Sequence, residues 1–111
     1  MGWFRRSREK EDARLNEQVL ARIQGKAIKY VARRDVGPDG STRETVLGKI
    51  GRINCLADAI VVVCDGREVF RCAIADARCS ELLSLDGAVI QGTNQLTGAP
   101  DTVVAYYQYY R

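Results

Sequence analysis

The chain has 111 residues, enough for one domain and too few for a second core. Apolar residues make up 46% and charged ones 28%, ordinary globular values that argue against disorder of the whole chain. The longest apolar stretch, residues 59–64, is far too short to span a bilayer, and there is no histidine to serve as a catalytic base or metal ligand.

Taken in chain order, the first expected element is a helix over 7–24. Leu15, Val19 and Ile23 recur every fourth residue as one apolar stripe, with Ala13 and Leu20 at its margins. Ser7 is placed to cap its start and Gly25 to end it in a left-handed conformation. A helix this short needs its stripe covered by the rest of the domain. Residues 1–25 therefore read as a basic segment plus amphipathic helix, and 26–111 as a small β domain that folds with it.

A first strand is expected over 26–35, where Ala27, Ile28, Tyr30 and Val31 support extension without clean alternation. Gly37-Pro38-Asp39-Gly40-Ser41 is the strongest turn, because proline presets one turn residue and Gly40 accepts positive φ. The next strand runs from Thr42 to about Asn54, long enough that Gly48 and Gly51 predict a bend or bulge. Asp65-Gly66 then joins strands over 59–64 and 68–74. A three-residue loop there aligns Val62 with Phe70 and Ile60 with Cys72, gathering one apolar face, and is preferred over the commoner two-residue loop. Residues 79–83 read as one helical turn, 88–92 as a strand, 93–101 as a polar loop and 102–111 as the last strand. Along that strand Val103, Ala105, Tyr107 and Tyr109 share one face and Val104, Tyr106, Gln108 and Tyr110 the other, so it is central or covered.

Together these elements predict a mainly β fold, an N-terminal helix followed by a small five- or six-stranded antiparallel barrel. The order of elements resembles the Sm-like RNA-associated barrels. Gly51-Arg52-Ile53 through Asp58-Ala59-Ile60-Val61-Val62 is similar to the first Sm motif, and Ala88-Val89-Ile90-Gln91-Gly92-Thr93-Asn94 to the second. The resemblance implies a ring-forming, RNA-associated barrel. Two departures fall at the family's base-binding positions, with Val61 in place of an asparagine and Gln91 in place of a basic residue.

Chemistry is sparse. The cysteines, Cys55, Cys64, Cys72 and Cys79, form no Cys-x-x-Cys pair and are expected as free, mostly buried thiols. Without histidine a catalytic cysteine lacks its usual base, so no enzyme, cofactor or metal is expected. The N-terminus has no apolar signal region, and a cytoplasmic location is expected.

Two surfaces remain as candidates. Tyr106, Tyr107, Tyr109 and Tyr110, with Tyr30 beside them, form an expected interface toward a second copy or another protein, since tyrosine buries large area at low entropic cost. Residues 1–34 carry ten basic and four acidic residues, a net +6 against −3 for the remainder. Arg5, Arg6, Arg8, Lys10, Arg14, Arg22, Lys26, Lys29, Arg33 and Arg34 are thus an alternative site for RNA, with Trp3 and Phe4 to stack on bases. The same end offers a second alternative, contact with an anionic membrane surface.

Overall fold

The computed structural model of the protein describes residues 16–108. Residues 16–23 form a helix, α1, and seven strands follow: β1 (Ala27–Val36), β2 (Thr42–Cys55), β3 (Ala59–Cys64), β4 (Arg67–Ala73), β5 (Arg78–Glu81), β6 (Gly87–Asn94) and β7 (Ala99–Tyr107). They make one antiparallel sheet in the order β4-β3-β2-β1-β7-β6-β5. No helix among the described residues is long and apolar enough to cross a membrane.

The expected five- or six-stranded barrel is corrected to a curled seven-stranded sheet that does not close. Strand β4 approaches the end of β6 that β5 leaves unpaired. The Arg71 N–H donates to Asn94 Oδ1 at 3.3 Å, and the Gln95 N–H donates to the Arg71 carbonyl at 2.7 Å. The extra strand is β5, where a helical turn was expected over 79–83. A 3-10 turn does form, but earlier, at Ile74–Asp76. Cys79 is buried opposite Ile90, and burying it there favours pairing over a local helical turn. The expected loop over 93–101 shrinks to a tight turn with Gly98 at φ 77°, so β6 and β7 both lengthen.

Helix α1 fills the gap that the open sheet leaves. Val19 and Ile23 join Ile28, Ile53, Ile60, Val62, Phe70, Ile90 and Val103 in the core. Asn16 acts as a strand surrogate at the β5 edge, accepting from the Cys79 N–H at 3.0 Å and donating to the Ala77 carbonyl at 2.8 Å. At its other end, Gln24 Oε1 accepts from the Cys55 N–H at 2.5 Å, and Gly25, at φ 74°, donates its N–H to the Ile53 carbonyl. The outer edge of β5 is thereby capped at its start.

Bulges explain the strands that alternate poorly in sequence. Between β1 and β7, Ile28 faces Tyr107 and Tyr30 faces Tyr106, which leaves Lys29 as the extra residue. Ile28 and Val31 can then both be buried while Tyr30 turns outward. In the β3–β4 hairpin the loop is two residues, Asp65 at φ 54° and Gly66 at φ 77°, rather than the expected three. A register shift at Val62/Val63 still brings Val62 opposite Phe70 and Ile60 opposite Cys72, the apolar face anticipated from the sequence.

Candidate functional site

From Val103 to Tyr107, strand β7 lies between β1 and β6, so the stretch that carries the tyrosines offers no free edge for strand addition. Its tyrosines divide between the faces. Tyr107 is only 5% exposed and belongs to the core; its hydroxyl lies 3.3 Å from Glu81 Oε2 and Lys26 Nζ sits 5.2 Å from its ring centroid. It is therefore no outward-facing member of the expected interface. Tyr109 and Tyr110 lie outside the described residues.

Tyr106 and Tyr30 remain on the outer face, and the structure brings them together. Their rings stack with centroids 4.6 Å apart and planes inclined by 29°. The Tyr106 hydroxyl donates to Glu44 Oε1 at 2.7 Å, and Arg34 Nη2 lies 3.6 Å from the same oxygen. Burial and, next, the hydrogen bond to Glu44 hold the Tyr106 phenol above its ordinary pKa, with Arg34 acting in the opposite sense. The pair is thus a neutral, oriented aromatic surface anchored on three strands.

Beside it runs a groove of about 390 Å³ lined by Tyr30, Tyr106, Tyr107, Lys29 and the β5–β6 connection at Leu82, Ser84 and Asp86. That connection is tied down: the Tyr107 N–H donates to the Asp86 carbonyl at 2.8 Å, and the Leu85 N–H to the Leu82 carbonyl at 2.8 Å. Leu85 is nevertheless at φ 61°, a left-handed conformation that costs a branched residue roughly 1 kcal/mol. Leu83 is fully exposed and Leu85 is 62% exposed. Neither leucine was identified by the sequence reading. The available signal was Leu82, Leu83 and Leu85 crowded into a short segment before Asp86-Gly87, where a solvated turn has no need of them.

Five of the basic set, Arg22, Lys26, Lys29, Arg33 and Arg34, fall among the described residues, and each has a partner within the chain. Arg22 on α1 is ion-paired with Glu81, Arg33 Nε lies 2.8 Å from Asp101 Oδ1, and Arg34 is held by Glu44. The Asp101 hydrogen bond raises the Arg33 pKa. Lys26 and Lys29 lie over Tyr107 and Tyr30, the latter with Nζ 5.9 Å from the centroid. Trp3, Phe4, Arg5, Arg6, Arg8, Lys10 and Arg14 lie outside the described residues.

A larger concavity, about 600 Å³, is bounded by Arg34, Arg78, Asp76, Asp101, Thr93 and Thr102 among others. Two of its three carboxylates are held by neighbouring groups. Asp76 Oδ2 accepts from the Thr93 N–H at 2.7 Å, which lowers the Asp76 pKa, and Asp101 is held by Arg33 and Asn94. All four cysteines are free, and burial pushes their thiols upward, Cys79 to about 12. Such thiols pack as apolar groups rather than act as nucleophiles.

No protein-family model, curated protein or solved structure matches the chain.

Proposed function

We propose that the protein is a non-enzymatic binding module that holds a protein partner at the Tyr30–Tyr106 groove. One observation carries this reading: a stacked tyrosine pair, fixed by Glu44, stands beside a tethered loop that presents Leu83 and Leu85 to solvent. Apolar side chains held outward next to rigid aromatics are the composition of an interface core, and neither leucine contributes to the fold's own core. The left-handed backbone at Leu85 is held by the Leu82 carbonyl and keeps its side chain turned outward. Arg34 is ion-paired with Glu44, and Lys29 Nζ lies over the Tyr30 ring, so the groove offers shape and apolar contact with one lysine at its wall.

The test is affinity capture from the source cell with wild type, Leu83→Asp and Tyr106→Ala, using Leu96→Asp on the β6–β7 turn as an exposed-leucine control. A partner retained by wild type and by Leu96→Asp, and lost from both groove variants, is the expected result. Truncating the central tyrosine should cost about 2 kcal/mol of binding or more, roughly 30-fold in affinity. Capture unchanged in both groove variants would remove the groove from the function.

A further inference from the structure

The register of β1 against β7 sets Tyr30 directly opposite Tyr106 on the outer face. Side chains so placed start about 5 Å apart at Cβ, and here the rings stack, with centroids 4.6 Å apart and planes inclined by 29°. Both residues are half-buried and keep part of their surface in solvent.

The Tyr106 phenol has a proton acceptor in place. Its hydroxyl donates to Glu44 Oε1 at 2.7 Å, and Arg34 Nη2 lies 3.6 Å from the same oxygen. Burial and then the Glu44 bond hold this phenol above its ordinary pKa, so it is protonated at neutral pH. A protonated phenol that loses an electron must shed its proton with it, because the radical cation is a strong acid. Glu44 stands within the reach that a general base needs. Tyr107 also faces a carboxylate, that of Glu81, but it is 5% exposed in the core and out of reach of an oxidant.

We propose that Tyr30 and Tyr106 are an oxidation site, at which a peroxidase-type one-electron oxidant joins the two rings through a carbon–carbon bond. The oxidant removes one electron from each phenol as the hydroxyl proton departs, from Tyr106 to Glu44 and from Tyr30 to water. The two phenoxyl radicals couple between carbons ortho to the hydroxyls. The hydrogen on each of those carbons then moves to its own ring oxygen, which restores two phenols. One hydrogen peroxide accepts the two electrons and two protons and becomes two waters. Ring contact selects the pair: a radical on either tyrosine finds its partner in the same chain, at an effective concentration that collisions between copies do not reach. Bonding asks the rings to rotate out of the stack about side-chain torsions, not about the backbone. The product is a covalent tie between β1 and β7, neighbours in the interior of the sheet. The reaction needs no bound partner and stands whether or not the groove holds one.

The test treats the full chain at micromolar concentration with a peroxidase and hydrogen peroxide, then digests the product of monomer mass. Wild type should give a linked peptide pair that contains Tyr30 and Tyr106 and is lighter by two hydrogens than the separate peptides, with the blue fluorescence of a biphenol. Tyr30→Phe and Tyr106→Phe keep a stacking ring but lack a hydroxyl, and each should lose that pair with an unchanged far-UV spectrum. Glu44→Gln keeps a hydrogen-bond acceptor that cannot take the proton. Its coupling should slow about tenfold at neutral pH and recover in alkaline solution, where hydroxide takes the proton instead. Recovery of Tyr30 and Tyr106 unlinked from a mixture that dimerises free tyrosine, or the same fluorescence at monomer mass in Tyr106→Phe, would overturn the proposal. A wild-type rate in Glu44→Gln would overturn the part given to Glu44.

Discussion

Asn94 holds the two ends of the open sheet together, and replacing it with alanine should show how much that contact matters. The side chain is 1% exposed and polar. Its Oδ1 accepts from the Arg71 N–H at 3.3 Å and from the Leu96 N–H at 3.0 Å, while Nδ2 donates to Asp101 Oδ2 at 3.2 Å. The other Asp101 oxygen is already paired with Arg33 Nε at 2.8 Å, so the network links β4, β6, β7 and β1. Alanine leaves two backbone donors and one carboxylate oxygen short of a partner. Each shortfall costs about 1–3 kcal/mol, discounted because the β6–β7 turn can admit water, so a total of about 3–5 kcal/mol is expected. A domain of this size has about 5–15 kcal/mol to lose, so the variant should fold but melt early. In urea, with m about 2 kcal/mol/M, the midpoint should fall by about 2 M. Hydrogen exchange at the Arg71 amide should accelerate together with that at Gln95, which clasps the Arg71 carbonyl. A loss below about 1 kcal/mol, with the Arg71 amide still protected, would refute the claim that this network joins the sheet ends.

Gly51→Ala should fail to fold, because a Cβ there would lie 1.8 Å from the Val63 carbonyl oxygen; recovery of soluble protein with native circular dichroism would contradict the close approach of β2 to β3. Thiol reagent at neutral pH should label Cys55 first and slowly, with Cys64, Cys72 and Cys79 silent until denaturant is added, since the last three are buried. Burial raises the Cys79 thiol from 9.0 to about 12, so folding favours its neutral form. That contribution is whole below about pH 9 and is lost as pH rises toward 12; Cys79→Val should flatten stability across that window in urea melts at several pH values.

Turns were the most legible part of the chain. Gly25, Gly40, Gly66 and Gly98 all adopt positive φ where a break between elements is expected, because few other residues tolerate that conformation. Register was legible only through burial. Matching apolar faces placed Val62 opposite Phe70, yet whether the extra residue sits in the loop or in a bulge leaves the same faces aligned, so the loop length was misjudged. For the site, alternation along the last strand already sets Tyr107 with Val103 and Ala105, and Tyr106 on the opposite face. The pairing of Tyr106 with Tyr30, by contrast, depends on the irregularity at Lys29 in β1, which alternation does not announce. Leu83 and Leu85 acquire meaning only once the β5–β6 connection is seen beside β7.

The sequence by itself determined a small, mainly β domain with a basic N-terminal segment, its turn positions, and which residues of each strand share a face. Those properties depend on φ preferences and on side-chain alternation, both local to a few residues. Only the tertiary structure decided that β7 is central, that residues 78–81 are a strand, and that the sheet stays open with α1 against its edge. Strand neighbours and closure are set by the sum of weak contacts between distant segments, here Asn16 with Cys79 and Arg71 with Asn94. No short window of sequence contains both halves of such a pair.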